Sequence, residues 1–250
     1  MNKIRIEICA PSLTSAVRAQ NGGADRIELC SALELGGLTP SYATILEVRK
    51  RLTISVCVLI RPRAGDFVYS EDEWEIIQKD IIFCRENGCE GVVVGCLNNN
   101  GTLDIEKMRK MYEIAYPMEI ICHRAFDRTI DAEKALQELI ELKYHRVLTS
   151  GQSASAFEGK EKLKELVALA ENKIEIMPGS GIDPSNLKEL IDYTQARHFH
   201  LSAKKTISSN FLVQETNVKF NFGSTAENNY FETNEDIVRH AVAVANEYFF

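Results

Sequence analysis

The chain has 250 residues, with 29 Lys+Arg against 36 Asp+Glu, a net charge of −7 and a hydrophobic fraction of 45%. These values exclude disordered, collagen-like and low-complexity chains. The acidic balance argues against general binding to nucleic acid or to an acidic membrane surface, both of which need a basic face.

The segment Met1 to Glu7 alternates charge with Ile and has no apolar targeting core. No apolar run reaches the ~18–20 residues that span a bilayer. A cytoplasmic location without a membrane partner is therefore expected. Strand candidates begin near Ile4, Asp25, Ile54, Gly91, Met118, Arg146, Lys173 and Arg197. Their spacing of 21 to 37 residues fits one strand, one crossover helix and two loops each. Helical signals lie between them. Glu71 to Glu75 crowds carboxylates into a first turn, Asp104 suits an N-cap, and Ser155–Leu169 and Pro184–Ile191 space their apolar residues near 3.6.

Eight strands alternating with helices predict a parallel sheet. In this length a closed (β/α)8 TIM-like barrel of one domain comes first, ahead of a doubly wound sheet. The stretch 204–233, rich in Ser, Asn and Gly, reads as a long irregular loop before the last helix. The seven cysteines, Cys9, Cys30, Cys57, Cys84, Cys89, Cys96 and Cys122, include no C-x-x-C pair and read as reduced thiols.

The first two strands carry the same pattern, Arg5-Ile-Glu7-Ile-Cys9 and Arg26-Ile-Glu28-Leu-Cys30. A period of two places the Ile and Leu on one face and Arg, Glu and Cys on the other. In a barrel the apolar face meets the helices, so the Arg-Glu-Cys face points into the lumen. Strand eight agrees, with His198, His200 and Ser202 alternating with Phe199 and Leu201. Barrel sites lie at the C-terminal mouth, which makes Glu7, Glu28, Cys9 and Cys30 functional candidates. Arg5 and Arg26, at the strand starts, suit an internal ion-pair ladder equally well. Strand three ends in Arg61-Pro62-Arg63, a potential anion clamp. Strand five ends in His123-Arg124, offering a general base or metal ligand beside a second anion contact. Ser150, Gly179, Gly181 and His200, near the ends of the last strands, complete the expected anion-contacting set, with the glycines presenting backbone N–H groups.

These pieces, in this order, resemble the CutC copper-homeostasis family. The resemblance rests on Glu7-Ile8-Cys9, Gly22 to Cys30, Gly36 to Ser41, Arg61 to Phe67, His123 to Asp127, Arg146 to Gly151 and Met177 to Ile182, and spans about residues 4 to 204. The chain departs from the pattern at Ala64, where the family often has Gly, at Ser180 within the glycine turn, and after Lys205. The resemblance implies a TIM-like barrel, a cytoplasmic homo-oligomer (dimer or tetramer), and copper handling with Cu(I) held at Cys9 and Cys30. The soft thiolate preference of Cu(I) suits those two sulfurs, with His123 or His200 as a third donor.

Two functions stay open at this point. One is a copper-binding protein with Cys9 and Cys30 as ligands. The other is an enzyme on a small anionic or sugar-like metabolite. In that case Glu7, Glu28 and His123 would be the acid–base groups, Arg61, Arg63 and Arg124 would hold the anion, and no nucleotide cofactor is expected.

Overall fold

The computed structural model describes residues 3–210 and 228–248. Its elements run β1 (Arg5–Ala10), α1 (Leu13–Asn21), β2 (Arg26–Leu29), α2 (Tyr42–Arg51), β3 (Ser55–Leu59), α3 (Glu71–Glu86), β4 (Gly91–Val94) and α4 (Ile105–Ala115). They continue with β5 (Glu119–Cys122), α5 (Ala132–Glu141), β6 (Arg146–Thr149), α6 (Lys160–Ala170), β7 (Glu175–Pro178), α7 (Pro184–Thr194) and β8 (His198–Leu201). The last elements are β9 (Lys204–Ser208), β10 (Asn229–Thr233) and α8 (Glu235–Ala245). Each of the eight expected strands starts within two residues of its expected position.

Strands β1 to β8 form one parallel sheet in the order β7-β6-β5-β4-β3-β2-β1-β8, a nearly closed barrel within a single domain. Both faces of the strands are buried, as a parallel sheet requires. Ile6, Ile8, Ile27 and Leu29 belong to the larger apolar core shared with the helices, together with Ala16, Ala19 and Val238. A second, smaller core fills the lumen with Cys9, Cys30, Cys57, Leu59, Val93, Ile121, Leu148 and Met177. The two sulfurs expected to face inward therefore do so.

The register adds what alternation within a strand does not contain. β1 pairs with β2 as Glu7 opposite Arg26 and Cys9 opposite Glu28. The two Arg-x-Glu-x-Cys segments are thus staggered by two residues, because barrel closure imposes a shear between strands. Equivalent positions do not sit level. Instead each carboxylate or thiol of β1 meets the group one motif step earlier in β2.

Two expected boundaries move. α6 begins at Lys160 rather than Ser155, because residues before it turn tightly: the Gly159 N–H donates to Ser155 O (3.0 Å) and the Ala156 N–H to Ser180 O (2.9 Å). A Cβ on Gly159 would fall 1.9 Å from Ser150 O, which explains the glycine. The stretch 204–233 is also not wholly irregular. Its two ends are β9 and β10, which pair antiparallel from Lys204–Thr233 to Ser208–Asn229; the middle of that stretch lies outside the described residues. The hairpin is tied to α1, where Arg18 donates to Glu232 (2.5 Å) and the Thr233 N–H to Ser15 Oγ (3.0 Å).

Candidate functional site at the C-terminal mouth

Glu7 lies deepest. It is fully buried, paired with Arg26 Nε through one oxygen and accepting from His200 Nδ1 (2.7 Å) through the other. Burial opposes the Glu7 charge, but Arg26 and His200 outweigh it and hold the carboxyl well below the usual range. With both oxygens engaged, Glu7 orients His200 and is not free to exchange a proton with a substrate.

Above it, Cys9 Sγ lies 3.4 Å from Cys30 Sγ and 3.8 Å from Glu28 Oε1. Cys9, Glu28 and His200 bring one ligand atom each within 4.8 Å of one another. The hydrogen bond with Cys30, burial and the charge of Glu28 raise the Cys9 thiol. Burial disfavours a charged His200, but its contacts with Cys9 and Glu7 and the charge of Glu28 raise its pKa. Burial pushes Glu28 up to about 7. His200, held on one ring nitrogen by a carboxylate and facing a thiol with its other side, has the carboxylate–histidine arrangement that orients metal-binding imidazoles.

A cavity of about 180 Å³ opens above this cluster. Cys9, Glu28 and His200 form part of its wall, and Arg61, His123, Arg124 and Gly181 another part. His123 comes to it on the end of β5 as a hydrogen-bond donor. The Ala125 N–H donates to His123 Nδ1 (3.1 Å), so in the neutral ring the proton sits on Nε2. Burial and the nearby Arg61 lower its pKa to about 3. A ring in that tautomer has no lone pair to give a metal from Nε2 and is no base at neutral pH. Of the two histidines, it is His200 that stands with Cys9 and Glu28. Gly95 makes room for His123: a Cβ there would lie 2.6 Å from the ring.

Arg61 is buried, and its guanidinium donates to Leu35 O (2.9 Å), Gly37 O (3.0 Å) and Gly65 O (2.9 Å). It thereby ties the β2–α2 and β3–α3 loops together. Gly37, at φ +86°, could not carry a side chain without strain, since a Cβ would lie 2.7 Å from Leu59. Arg63 points elsewhere. It donates to Glu73 (2.5 Å) and Asp66 (3.1 Å), folding the β3–α3 loop onto the capped start of α3, and does not line the cavity. The expected two-arginine clamp is therefore one arginine. Arg124 stands at the rim, half-exposed, donating to Asp127 Oδ2 (2.7 Å) and Ser150 Oγ (2.9 Å). Ser150 and Gly179 lie behind the wall. Ser150 also binds Asp127 and Ser153 O, and Gly179 lets β7 approach His200, where its Cβ would fall 3.3 Å from that of His200.

Asp127, outside the expected set of site residues, organises this corner. It accepts from Thr149 Oγ1 (2.5 Å) and from the N–H groups of Ser150 (3.1 Å) and Gln152 (3.2 Å), besides Arg124. Its position four residues after His123 was the available signal. Ser180 holds φ +80°, a conformation that suits glycine, and is secured by its hydroxyl donating to Ala154 O (3.1 Å). Ala64 is not at positive φ, unlike Gly65, so the loss of a glycine there carries no strain.

The CutC family profile matches residues 4–205. The chain belongs to the CutC family. A CutC family protein from Parabacteroides distasonis is 44% identical over 230 residues, covering 91% of this chain and 93% of that protein. One from Xanthomonas campestris pv. campestris is 45% identical over 204 residues, covering 82% and 85%. A solved CutC structure from Streptococcus agalactiae, named for copper homeostasis, is 34% identical with a TM-score of 0.77 over 80% of this chain and 98% of that one. Phosphoribosylanthranilate isomerase from Thermotoga maritima, at 13% identity and a TM-score of 0.58 over 98% of this chain and all of that one, shares the barrel fold alone. Among the described residues, no helix is long and apolar enough to cross a membrane.

Proposed function

We propose that this CutC family member is a cytoplasmic, homo-oligomeric copper homeostasis protein that binds Cu(I) through Cys9 and Cys30, with His200 as third donor. The observation that carries this reading is the 3.4 Å approach of the two sulfurs beside an imidazole held by Glu7. Two thiolates and a nitrogen form a soft donor set that suits Cu(I). Glu28 is a harder ligand and fits better as the neighbour that accepts from Cys9 than as a Cu(I) donor. Coordination requires the thiol protons and the extra proton that the raised pKa favours on His200 to leave, so uptake releases protons and strengthens as pH rises. Arg26 supports the site from below by fixing Glu7. A competition titration with a Cu(I) chelator tests this. The wild type is expected to take one Cu(I), the Cys9→Ser/Cys30→Ser double variant to lose it, and Glu7→Gln to weaken it by about 10–100-fold. Unchanged affinity in the double variant contradicts the reading.

A second reading has its own observation. Glu28 Oε2, Arg61 Nε and His123 Nε2 are buried without a hydrogen-bond partner, and all three residues line the cavity. Copper at the two sulfurs uses none of these atoms. They suit a small organic molecule, the metabolite-binding alternative. In that case His123 acts as a donor, and Arg61 alone of the two paired arginines faces the ligand.

A further inference from the structure

Buried polar atoms in folded proteins nearly always find partners, and each one left alone costs about 1–3 kcal/mol. Of eight such side-chain atoms among the described residues, three belong to residues that border one cavity of about 180 Å³, more than at any other single place. Their chemistry is complementary. His123 and Arg61 both border the Phe67 ring, with the His123 ring centre 4.7 Å and the Arg61 guanidinium carbon 5.1 Å from its centre, and each has an unused N–H. Glu28 stands beside Cys9 with an unused oxygen. Apart from the Phe67 ring, the Arg61 guanidinium meets carbonyl oxygens and, among the described residues, makes no ion pair. A buried cation without an anion is costly.

We infer that the cavity binds a small hydroxylated carboxylic acid, its carboxylate on Arg61 Nε and His123 Nε2 and a hydroxyl on Glu28 Oε2. The inference rests on the second reading above, that this cavity takes a small molecule. Size supports it, since an apolar cavity of about 150 Å³ holds benzene, and a three- or four-carbon acid has a similar number of heavy atoms. Phe67 and Leu148 supply apolar walls for its carbons. Phosphate is the less suitable anion. In barrels it is held by backbone N–H groups at a helix start after the late strands. Here the start of α7 is closed by Asp183, whose carboxylate accepts from the Ser185 N–H (2.7 Å). That helix start is therefore capped by a negative charge.

The test uses copper-free protein and four probes: D-glycerate, acetate, glycerol and inorganic phosphate. Melting is followed together with the NMR signal of the His123 Nε2 proton. Glycerate is expected to raise Tm by about 5 °C near saturation and to shift the His123 signal, acetate to do so less, and glycerol and phosphate not at all. Glu28→Gln and His123→Phe, each checked for a cooperative unliganded melt, are expected to lose the glycerate effect. Binding of phosphate or glycerol in place of glycerate overturns the ligand class while leaving the small-molecule reading intact. No response to any of the four overturns the small-molecule reading itself. An equal glycerate effect in both variants places the ligand elsewhere and overturns the inference.

Discussion

At the N-terminal mouth of the barrel Arg5, Arg26 and Arg146 each meet a carboxylate, from Asp25, Glu7 and Glu119 respectively. At the C-terminal mouth the Arg61 guanidinium meets carbonyl oxygens and the Phe67 ring, and Glu28 and His123 each keep an unpartnered atom. Arg124 at the C-terminal rim does pair with Asp127, and Arg146 Nε at the other end is buried without a partner. The contrast therefore lies in Arg61, Glu28 and His123, which have no ion pair among the described residues, against three arginines that each have one. Self-neutralised charge holds strands in place. On the reading proposed above, open charge and paired thiols receive something from outside. This matches the general division of barrels into a stability end and a functional end.

The comparison can be broken most easily at Arg26. Arg26→Met strands the buried Glu7 carboxylate with His200 alone, and unfolding by heat or denaturant is expected to show a loss of about 3–5 kcal/mol. In a chain of this size that is on the order of 10 °C. Arg61→Met strands no charge and leaves one buried carbonyl, that of Gly37, because Leu35 and Gly65 are exposed, so its expected cost is smaller, about 1–3 kcal/mol. A larger loss at Arg61 than at Arg26 would erase the contrast between the two mouths.

Gly95→Ala sharpens the account at the open end. The added methyl meets the His123 ring at 2.6 Å and Ala125 Cβ at 2.9 Å. Overpacking of this kind costs about 1–3 kcal/mol. Its signature is a shifted His123 NMR resonance with the Arg26–Glu7 pair undisturbed. A smaller effect is expected from Glu119 at the closed end. Burial opposes its charge, but the hydrogen bond and charge of Arg146 win and lower its pKa from 4.5. A lowered pKa stabilises the fold above the unfolded value, and that contribution is lost as pH falls through the folded value. Because 41% of the Glu119 side chain is exposed, the contribution is at most about 1 kcal/mol. Glu119→Gln is expected to flatten part of the acid limb of the Tm–pH curve, and an unchanged limb would show the pair to be inert. The smallest expected effect is none: with a pKa near 3, His123 should keep one neutral tautomer between about pH 5 and 8, and its NMR shifts should stay constant. Titration within that window would restore His123 as a general base.

The barrel and its inward face were legible because a period of two is a local signal. Ile6 and Ile8 against Glu7 and Cys9 sort themselves within a single strand. The stagger that sets Glu28 beside Cys9 was not legible, since shear belongs to the closed sheet and to no strand alone. The separation of Arg61 from Arg63 was hidden for a related reason. Arg63 is taken by Glu73, which also closes the cap on Ser70 at the start of α3. The state of His123 depends on a single backbone N–H two residues on, from Ala125. Pairing of β9 with β10 joins segments about twenty residues apart, beyond the reach of periodicity within either segment. What the motifs located was the neighbourhood. What each group does there followed from its hydrogen-bond partners.

The central claim is that Cys9 and Cys30 act together as a soft metal site oriented by Glu7 and His200. Copper-edge X-ray absorption on Cu(I)-loaded protein tests it most directly. The account predicts two sulfur scatterers and one nitrogen around copper, with the sulfur shell gone in Cys9→Ser/Cys30→Ser. A shell of nitrogen and oxygen alone in the wild type would contradict it.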